Sequence, residues 1–355
     1  MAVKELPESV QCLLSSSTYI STYKRAIEEL VYNSLDAGST SIAIRVHIEE
    51  NKLQVIDNGQ GIMESDFNLL GQRYTTSKCV DLSTLKAAAN TYGYQGLSLA
   101  NIVNISRNVK ITSRCENNQN TWLKIFHKGK TKELTKTSVR PSRGTTVEVK
   151  GFLYNLHIQS KSVHTLNELN EIKTFMQQFS LIHCNVSLSL RDDAKNEIIF
   201  QAHKNRDMCQ SIQLLFNIDP QDIQQFRVEK NQYKVTAFIG KKYEDGHTHW
   251  IYLNGKFLSN STLHKIINDN LKKSWKTSKN VKTKKIEKNK VDDTREQVRK
   301  IVERLLKNNP KIGVSQMNNG VKGNIFKATK HFLWFQLRHN NHLSRNYFIY
   351  RYTIE

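Results

Sequence analysis

The sequence contains no run of about 18 apolar residues, so no membrane-spanning helix is expected. Residues 1–10 lack an apolar segment of the kind that forms a secretory signal. The five cysteines, Cys12, Cys79, Cys115, Cys184 and Cys209, include no Cys-x-x-Cys pair. Their scatter argues against a zinc site and for a reducing compartment. No G-x-x-x-x-G-K-[ST] loop occurs, which excludes a phosphate cradle of that kind. Acidic residues are scarce: 32 Asp and Glu face 53 Lys and Arg, for a formal net charge of +21. Such an excess implies an acidic partner, and nucleic acid fits it best. What is there is a chain of 355 residues, 38% hydrophobic and 24% charged. That length allows two or more domains and a sizeable core.

Residues 25–62 are the most informative stretch. R-A-I-E-E-L-V-Y-N-S-L-D-A-G opens it and V-I-D-N-G-Q-G-I closes it. Ile27, Leu30, Val31 and Ser34 follow helical spacing and predict one buried stripe, and Gly38 sits where such a helix stops. Glu29 and Asn33 then project from one helix face, one turn apart, with Asp36 a further turn along. Residues 41–49 alternate as a strand, residues 50–52 read as a turn, and residues 53–56 return. Asp57 falls at the end of that return strand, followed by Gly59 and Gly61, which let the backbone approach something flat or bulky. A carboxylate beside a side-chain amide suits nucleotide hydrolysis. Glu29 can orient and deprotonate a water, and Asn33 can offer Mg²⁺ a neutral oxygen. Asp57, once buried, can accept from an exocyclic amine and so select adenine. The same residue types also occur on exposed helix faces and in Asp-Asn-Gly turns, so it is their order together that points to a site.

Further on, T-Y-G-Y-Q-G-L-S-L-A-N-I-V-N places Gly93 and Gly96 just before an apolar helical run. A glycine-rich turn feeding a helix N-terminus presents backbone N–H groups and a positive dipole end to an anion. Ordinary helix starts share this pattern, and its position after the two earlier motifs is what adds weight. R-Y-T-T-S-K lies between them, with Thr76, Ser77 and Lys78. S-R-G-T-T-V-E-V later brings Thr145 to the start of a strand.

These segments resemble, in order, the motifs of the ATPase superfamily that includes gyrase, the Hsp90 chaperones, histidine kinases and MutL. N-S-L-D-A-G-S-T is most similar to the MutL mismatch-repair family. R-Y-T-T-S-K-C and T-Y-G-Y-Q-G-L-S-L-A-N-I resemble the branch of eukaryotic third homologues, which works in meiosis. The resemblance implies an α+β fold, a mixed β-sheet layered with helices, followed by a partial ribosomal-S5-like transducer domain. It implies Glu29 as the catalytic base and Asn33 as the Mg²⁺ ligand. It also implies an ATP site built from Asn33, Asp57, Gly59, Gly61, Thr76, Ser77, Lys78, Gly93, Tyr94, Gln95, Gly96, Leu97 and Thr145. DNA bound without sequence preference, a second MutL homologue as heterodimer partner, MutS-type complexes and a nuclear location follow from the same resemblance. The chain also departs from the family. The typical G-F-R-G-E-A-L is here Gly93-Tyr94-Gln95-Gly96-Leu97-Ser98-Leu99, with Gln95 for an Arg and Leu97 for a Glu. Backbone donors survive this change, while the side-chain contacts that fasten the lid over the nucleotide, and with them the turnover rate, are what it puts in question.

Strands are expected at 109–114, 121–127, 145–149, 186–190, 197–200, 233–239 and 249–253, and helices at 83–90, 207–216 and 261–271. Leu166, Leu169, Ile172, Phe175, Met176 and Phe179 form a helical stripe read as core. The expected division is an ATPase domain over 1–204, a partial transducer domain over 205–271 and a flexible basic tail over 272–355. Residues 272–290 hold nine lysines and one glutamate, a solvated run that also suits DNA phosphates or a nuclear-localisation signal. Lys330 is a weak candidate for the family's phosphate-sensing lysine. No D-Q-H-A-type metal motif of the family's endonuclease region occurs in the sequence.

Overall fold

The structure, a computed structural model, describes residues 3–78, 91–93, 95–116, 120–156, 159–160, 163–216, 219, 221, 223–230, 233–240, 248–253, 256–258, 333–335, 338–339 and 349–353. The expected helices at 83–90 and 261–271, Tyr94, Lys330 and the lysine run at 272–290 lie outside them. The chain divides into two units, Met1–Ser211 and Ile212–Glu355.

The first unit is built on an eight-stranded mixed sheet. Its strands are β1 (Ser41–His47), β2 (Lys52–Asp57), β3 (Ser106–Arg114), β4 (Thr121–His127), β5 (Lys130–Thr137), β6 (Gly144–Phe152), β7 (Ser187–Asp192) and β8 (Glu197–Ala202). They run in the order β5-β4-β3-β6-β2-β1-β7-β8. β1 and β7 are parallel, and the other described pairings in this sheet are antiparallel. The helices are α1 (Glu8–Tyr19), α2 (Tyr23–Asp36), α3 (Ser98–Ile105) and α4 (Thr165–Ile182). α2, α3 and α4 lie against the sheet. The α+β layering expected from the motifs is therefore present.

The local reasons are visible residue by residue. α2 starts where the Thr22 side chain accepts from Arg25 N at 3.1 Å, which satisfies one free first-turn amide. It buries Ala26, Ile27, Leu30, Val31 and Ser34; each fully buried aliphatic side chain contributes about 1.5–3 kcal/mol. It ends at Asp36, and Gly38 turns the chain away at φ +72°. In β2, Leu53, Val55 and Asp57 are buried and their neighbours are not. The two-residue period thus carries the Asp57 carboxylate to the same face as the core. Register pairs Ile42 with Asp57, Ile44 with Val55 and Val46 with Leu53, so the buried sets of both strands coincide.

Three differences from the sequence expectations have physical causes. α1 shows no buried stripe, only Ser16, so helical periodicity cannot reveal it. β5 is an edge strand with nearly every side chain exposed and thus no alternation to read. Leu166 stands in the first turn of α4 and is 67% exposed, while Leu169, Ile172, Phe175, Met176 and Phe179 are buried as expected.

The second unit contains strands β9 (Ile223–Lys230), β10 (Tyr233–Gly240), β11 (Thr248–Leu253), β12 (Lys256–Leu258), β13 (Leu333–Phe335), β14 (Arg338–His339) and β15 (Ile349–Thr353). β9 pairs antiparallel with β10, and β15 lies between β11 and β13. Across the division runs α5 (Met208–Phe216). Among the described residues no helix is long and apolar enough to cross a membrane.

Candidate active site

Asp57 sits at the end of β2, buried beneath α2. Its Oδ1 accepts from Gly59 N at 2.8 Å and from Thr145 N at 3.1 Å, and its Oδ2 accepts from Ser34 Oγ at 2.9 Å. The carboxylate thereby joins α2, β2 and β6. Thr145 Oγ1 lies 2.9 Å from Ser113 Oγ, which ties in β3. Two expected site residues, Asp57 and Thr145, are in direct contact, and Ser34 is a partner that spacing alone does not indicate.

Glu29 is buried on α2, with only 7% of its surface exposed. Its Oε1 pairs with the Arg25 guanidinium at 2.5 Å and accepts from the Tyr19 hydroxyl at 3.4 Å. Its Oε2 accepts from the Ser98 hydroxyl at the start of α3. Burial raises the Tyr19 pKa and the Glu29 carboxylate adds to the rise. Burial alone would lower Arg25, but the Glu29 and Glu28 carboxylates outweigh it and the net shift is upward.

One turn along α2, Asn33 Oδ1 accepts from Lys78 Nζ at 2.9 Å. The same ammonium lies 2.8 Å from Asp36 Oδ2. Asp36 also accepts from the backbone N–H groups of Tyr92 and Gly93, each at 3.1 Å. A β-carbon at Gly93 would come 3.2 Å from Lys78 Nζ. Glu29, Asn33, Asp36, Lys78, Gly93 and Ser98 therefore meet along one side of α2. Asn33 and Asp36 already present two oxygens to a cation, the hard-oxygen chemistry that Mg²⁺ takes. Asp36 was visible in the sequence as the next position on that helix face, yet its role appears only with its partners.

The other expected residues fall into place around this core. Thr76 Oγ1 accepts from Lys78 N at 3.1 Å, and Ser77 is exposed. Gly96 packs against Thr75, where a β-carbon would collide with backbone, and its carbonyl accepts from Tyr74 N at 3.0 Å. Gln95 is exposed and Leu97 half-buried. Among the described residues no side chain caps the N-terminus of α3, which keeps first-turn amides for an anion. Gly59 and Gly61 do permit close backbone approach, but to this chain itself: Gly59 to Ala37 and Ser39, Gly61 to Arg114. Arg73 secures the base of this loop by donating to Asn101 Oδ1 at 2.9 Å and Ser15 Oγ at 2.8 Å.

Comparison with known proteins agrees with this architecture. Residues 20–152 match the family described as histidine kinase-, DNA gyrase B- and HSP90-like ATPase. Over 274 residues the chain is 30% identical to the DNA mismatch repair protein Mlh3 of Homo sapiens, covering 76% of this chain and 19% of that protein. It is 27% identical over 272 residues to the DNA mismatch repair protein MutL of Thermotoga maritima, covering 75% of this chain and 52% of that one. A crystal structure of the N-terminal domain of a DNA repair protein aligns with a TM-score of 0.61 at 22% identity, over 74% of this chain and 82% of that one. The Aquifex aeolicus MutL ATPase domain complexed with ADP aligns with a TM-score of 0.54 at 18% identity, over 70% and 88%. At those identities the two structural likenesses are likenesses of fold. The helix-layered mixed sheet, with its polar cluster along α2, is thus an ATPase domain of the histidine kinase, gyrase and Hsp90 class. The chain is similar to MutL-type mismatch-repair proteins, and it spans about a fifth of the length of the human and Arabidopsis thaliana relatives.

Proposed function

We propose that the chain binds ATP with Mg²⁺ and hydrolyses it slowly, as the nucleotide-driven part of a MutL-type mismatch-repair and meiotic recombination protein. The observation that carries the reading is the joint arrangement on α2: Glu29 and Asn33 one turn apart, with Asp57 held beneath by Ser34. Asp57 accepts the adenine amine, beside Thr145. First-turn amides of α3 and the Gly93–Gly96 turn hold phosphate oxygens. Asn33, aided by Asp36, would hold Mg²⁺, which would neutralise phosphate charge. Glu29 orients the water and takes its proton. Ordering of the loop that carries Lys78 favours N-terminal dimerisation, with a second MutL homologue as partner, around DNA. MutS-type complexes and a nuclear location complete the reading. The test is ATP hydrolysis by the wild-type chain beside Glu29→Ala, with and without DNA. The Ala variant keeps nucleotide binding and loses turnover by about 10²–10⁴-fold. Equal rates would remove Glu29 from the chemistry.

A second reading has a specific observation in its favour. Both Glu29 oxygens are already engaged, by Arg25 and Ser98, and Leu97 supplies no carboxylate nearby. In that reading the chain binds ATP and acts as a non-hydrolysing, DNA-binding switch or scaffold of the same fold. Wild-type turnover at background, with DNA binding that still responds to ATP, would select it.

A further inference from the structure

Asp57 is held from two sides, and the second side carries no residue so far given a role. Its carboxylate faces α2, while its own main-chain carbonyl accepts from Nη2 of Arg140. Arg140 Nη1 donates to Thr146 Oγ1, and Nε donates to the Ser142 carbonyl at 3.1 Å. Nη2 also reaches the Arg143 carbonyl at 3.4 Å. The acceptors therefore bracket the start of β6, where Thr145 N donates to the Asp57 carboxylate.

The geometry requires Gly144. Its φ is +118°, and a β-carbon there would strike both the Asp57 carbonyl and the Arg140 guanidinium. The same guanidinium lines a depression of about 310 Å³ on the other face of the sheet, with Gln54, Lys110 and Glu148. Gln54 and Ile56 alternate with the buried Leu53, Val55 and Asp57, so Arg140 approaches the strand end from the side opposite α2. Burial lowers the Arg140 pKa, and the Asp57 carboxylate opposes that shift. Arginine's planar fork reaches these spread acceptors from three nitrogens in one fixed geometry, where a lysine has a single nitrogen.

We propose that Arg140 is a positioning residue for base recognition: by clamping the ends of β2 and β6 it holds the Asp57 carboxylate and Thr145 N in mutual register. The proposal rests on the reading of Asp57 as the adenine acceptor. Without the clamp, the Asp57 carbonyl and the 142–146 backbone lose a shared donor, and the carboxylate loses its fixed direction while its charge remains. Base selectivity should suffer before phosphate binding does.

The test measures equilibrium affinity for ATP and GTP in wild type, Arg140→Ala, Arg140→Lys and Asp57→Asn, each with a thermal melt to confirm folding. Asp57→Asn is expected to weaken ATP binding about tenfold or more, since a charged acceptor is lost. Arg140→Ala should weaken ATP binding about tenfold and bring the ATP and GTP affinities closer together. Arg140→Lys should fall between it and wild type, and it carries the comparison if the Ala variant does not fold. Wild-type ATP affinity in Asp57→Asn would overturn the reading of the site and this proposal with it. An impaired Asp57→Asn beside Arg140 variants with unchanged ATP-to-GTP preference would overturn the clamp alone.

Discussion

Lys78 donates to Asn33 Oδ1 at 2.9 Å, so the amide oxygen assigned to Mg²⁺ already holds a cation belonging to the chain. The ammonium is drawn there by Asp36 as well, at 2.8 Å, with the Asp36 side chain 2% exposed. Like-charge repulsion disfavours an ammonium and Mg²⁺ on the same oxygen. On the proposed role of Asn33, Mg²⁺ competes with Lys78 for this oxygen. Lys78→Met should lower the Mg²⁺ concentration that half-saturates the nucleotide-loaded chain. A net hydrogen-bond contribution of about 1 kcal/mol corresponds to a shift of about fivefold. A Mg²⁺ titration at saturating ATP checks it, and an unchanged or raised half-point would show that Lys78 does not compete.

Ser98 bears on the chemistry through its bond to Glu29. Its hydroxyl occupies Glu29 Oε2 while Arg25 holds Oε1, so a water approaching this carboxylate meets both oxygens already engaged. Ser98→Ala removes one donor without adding bulk. Turnover should rise about fivefold with nucleotide affinity unchanged, the equivalent of one net hydrogen bond of about 1 kcal/mol. Steady-state kinetics on the two chains decide it. A rate that stays level or falls would mean that Ser98 positions Glu29 usefully.

The contrast between Glu29 and Ser98 shows what was legible before the structure. Glu29 and Asn33 lie on one helix face by spacing alone, and the 53-55-57 alternation carries Asp57 into the core. Both facts are local, and both could be read from the sequence. The partners were not local. Ser34 meets Asp57 across 23 residues, Ser98 meets Glu29 across 69 and Arg140 meets Asp57 across 83. Ser34 could be placed on a buried stripe without its partner being known, and Arg140 looks like an ordinary surface residue until the sheet order β3-β6-β2 brings the segment before β6 to the end of β2. The same holds for β5, whose sequence K-T-K-E-L-T-K-T buries nothing and so shows no strand period.

Glu168 makes stability depend on pH. Its Oε2 accepts from Tyr23 N at 3.2 Å, at the N-terminus of α2 where a carboxylate is favoured. Burial nevertheless raises its pKa above the ordinary 4.5, with Glu171 adding to the rise and the Tyr23 and Lys24 amides opposing it. The folded chain therefore holds this proton to higher pH than the unfolded chain does. Between the two pKa values the folded state binds more protons, so this group's contribution to stability falls as pH rises through that window. Glu168→Gln removes the titration. Relative to the Gln variant, wild type should be most stable at the acid end and lose ground as pH rises through the raised pKa of the folded chain. Melting temperatures across that range measure the difference, and parallel curves would contradict the assignment.

The charge of the chain leads to a prediction about DNA. The formal net charge is +21, and part of the excess is exposed on the edge strand β5 and its turn, at Lys128, Lys130, Lys132 and Lys136. Residues 272–290 carry nine more lysines. Lysine is a compact point charge that suits phosphate oxygens and reads bases poorly. Binding should therefore be insensitive to duplex sequence, and log affinity should fall linearly with log salt by about 0.9 per phosphate contacted. Replacing the nine lysines of 272–290 with glutamine should lower that slope, while ATP binding, which rests on α2, β2, α3 and β6, should survive. Salt titrations of both chains on one duplex give the slopes. A slope unchanged by the replacement would move the DNA surface elsewhere on the chain, where β5 is the first strand to neutralise. An affinity that ignores salt, or a strong preference for one sequence at fixed salt, would exclude charge as the basis of binding.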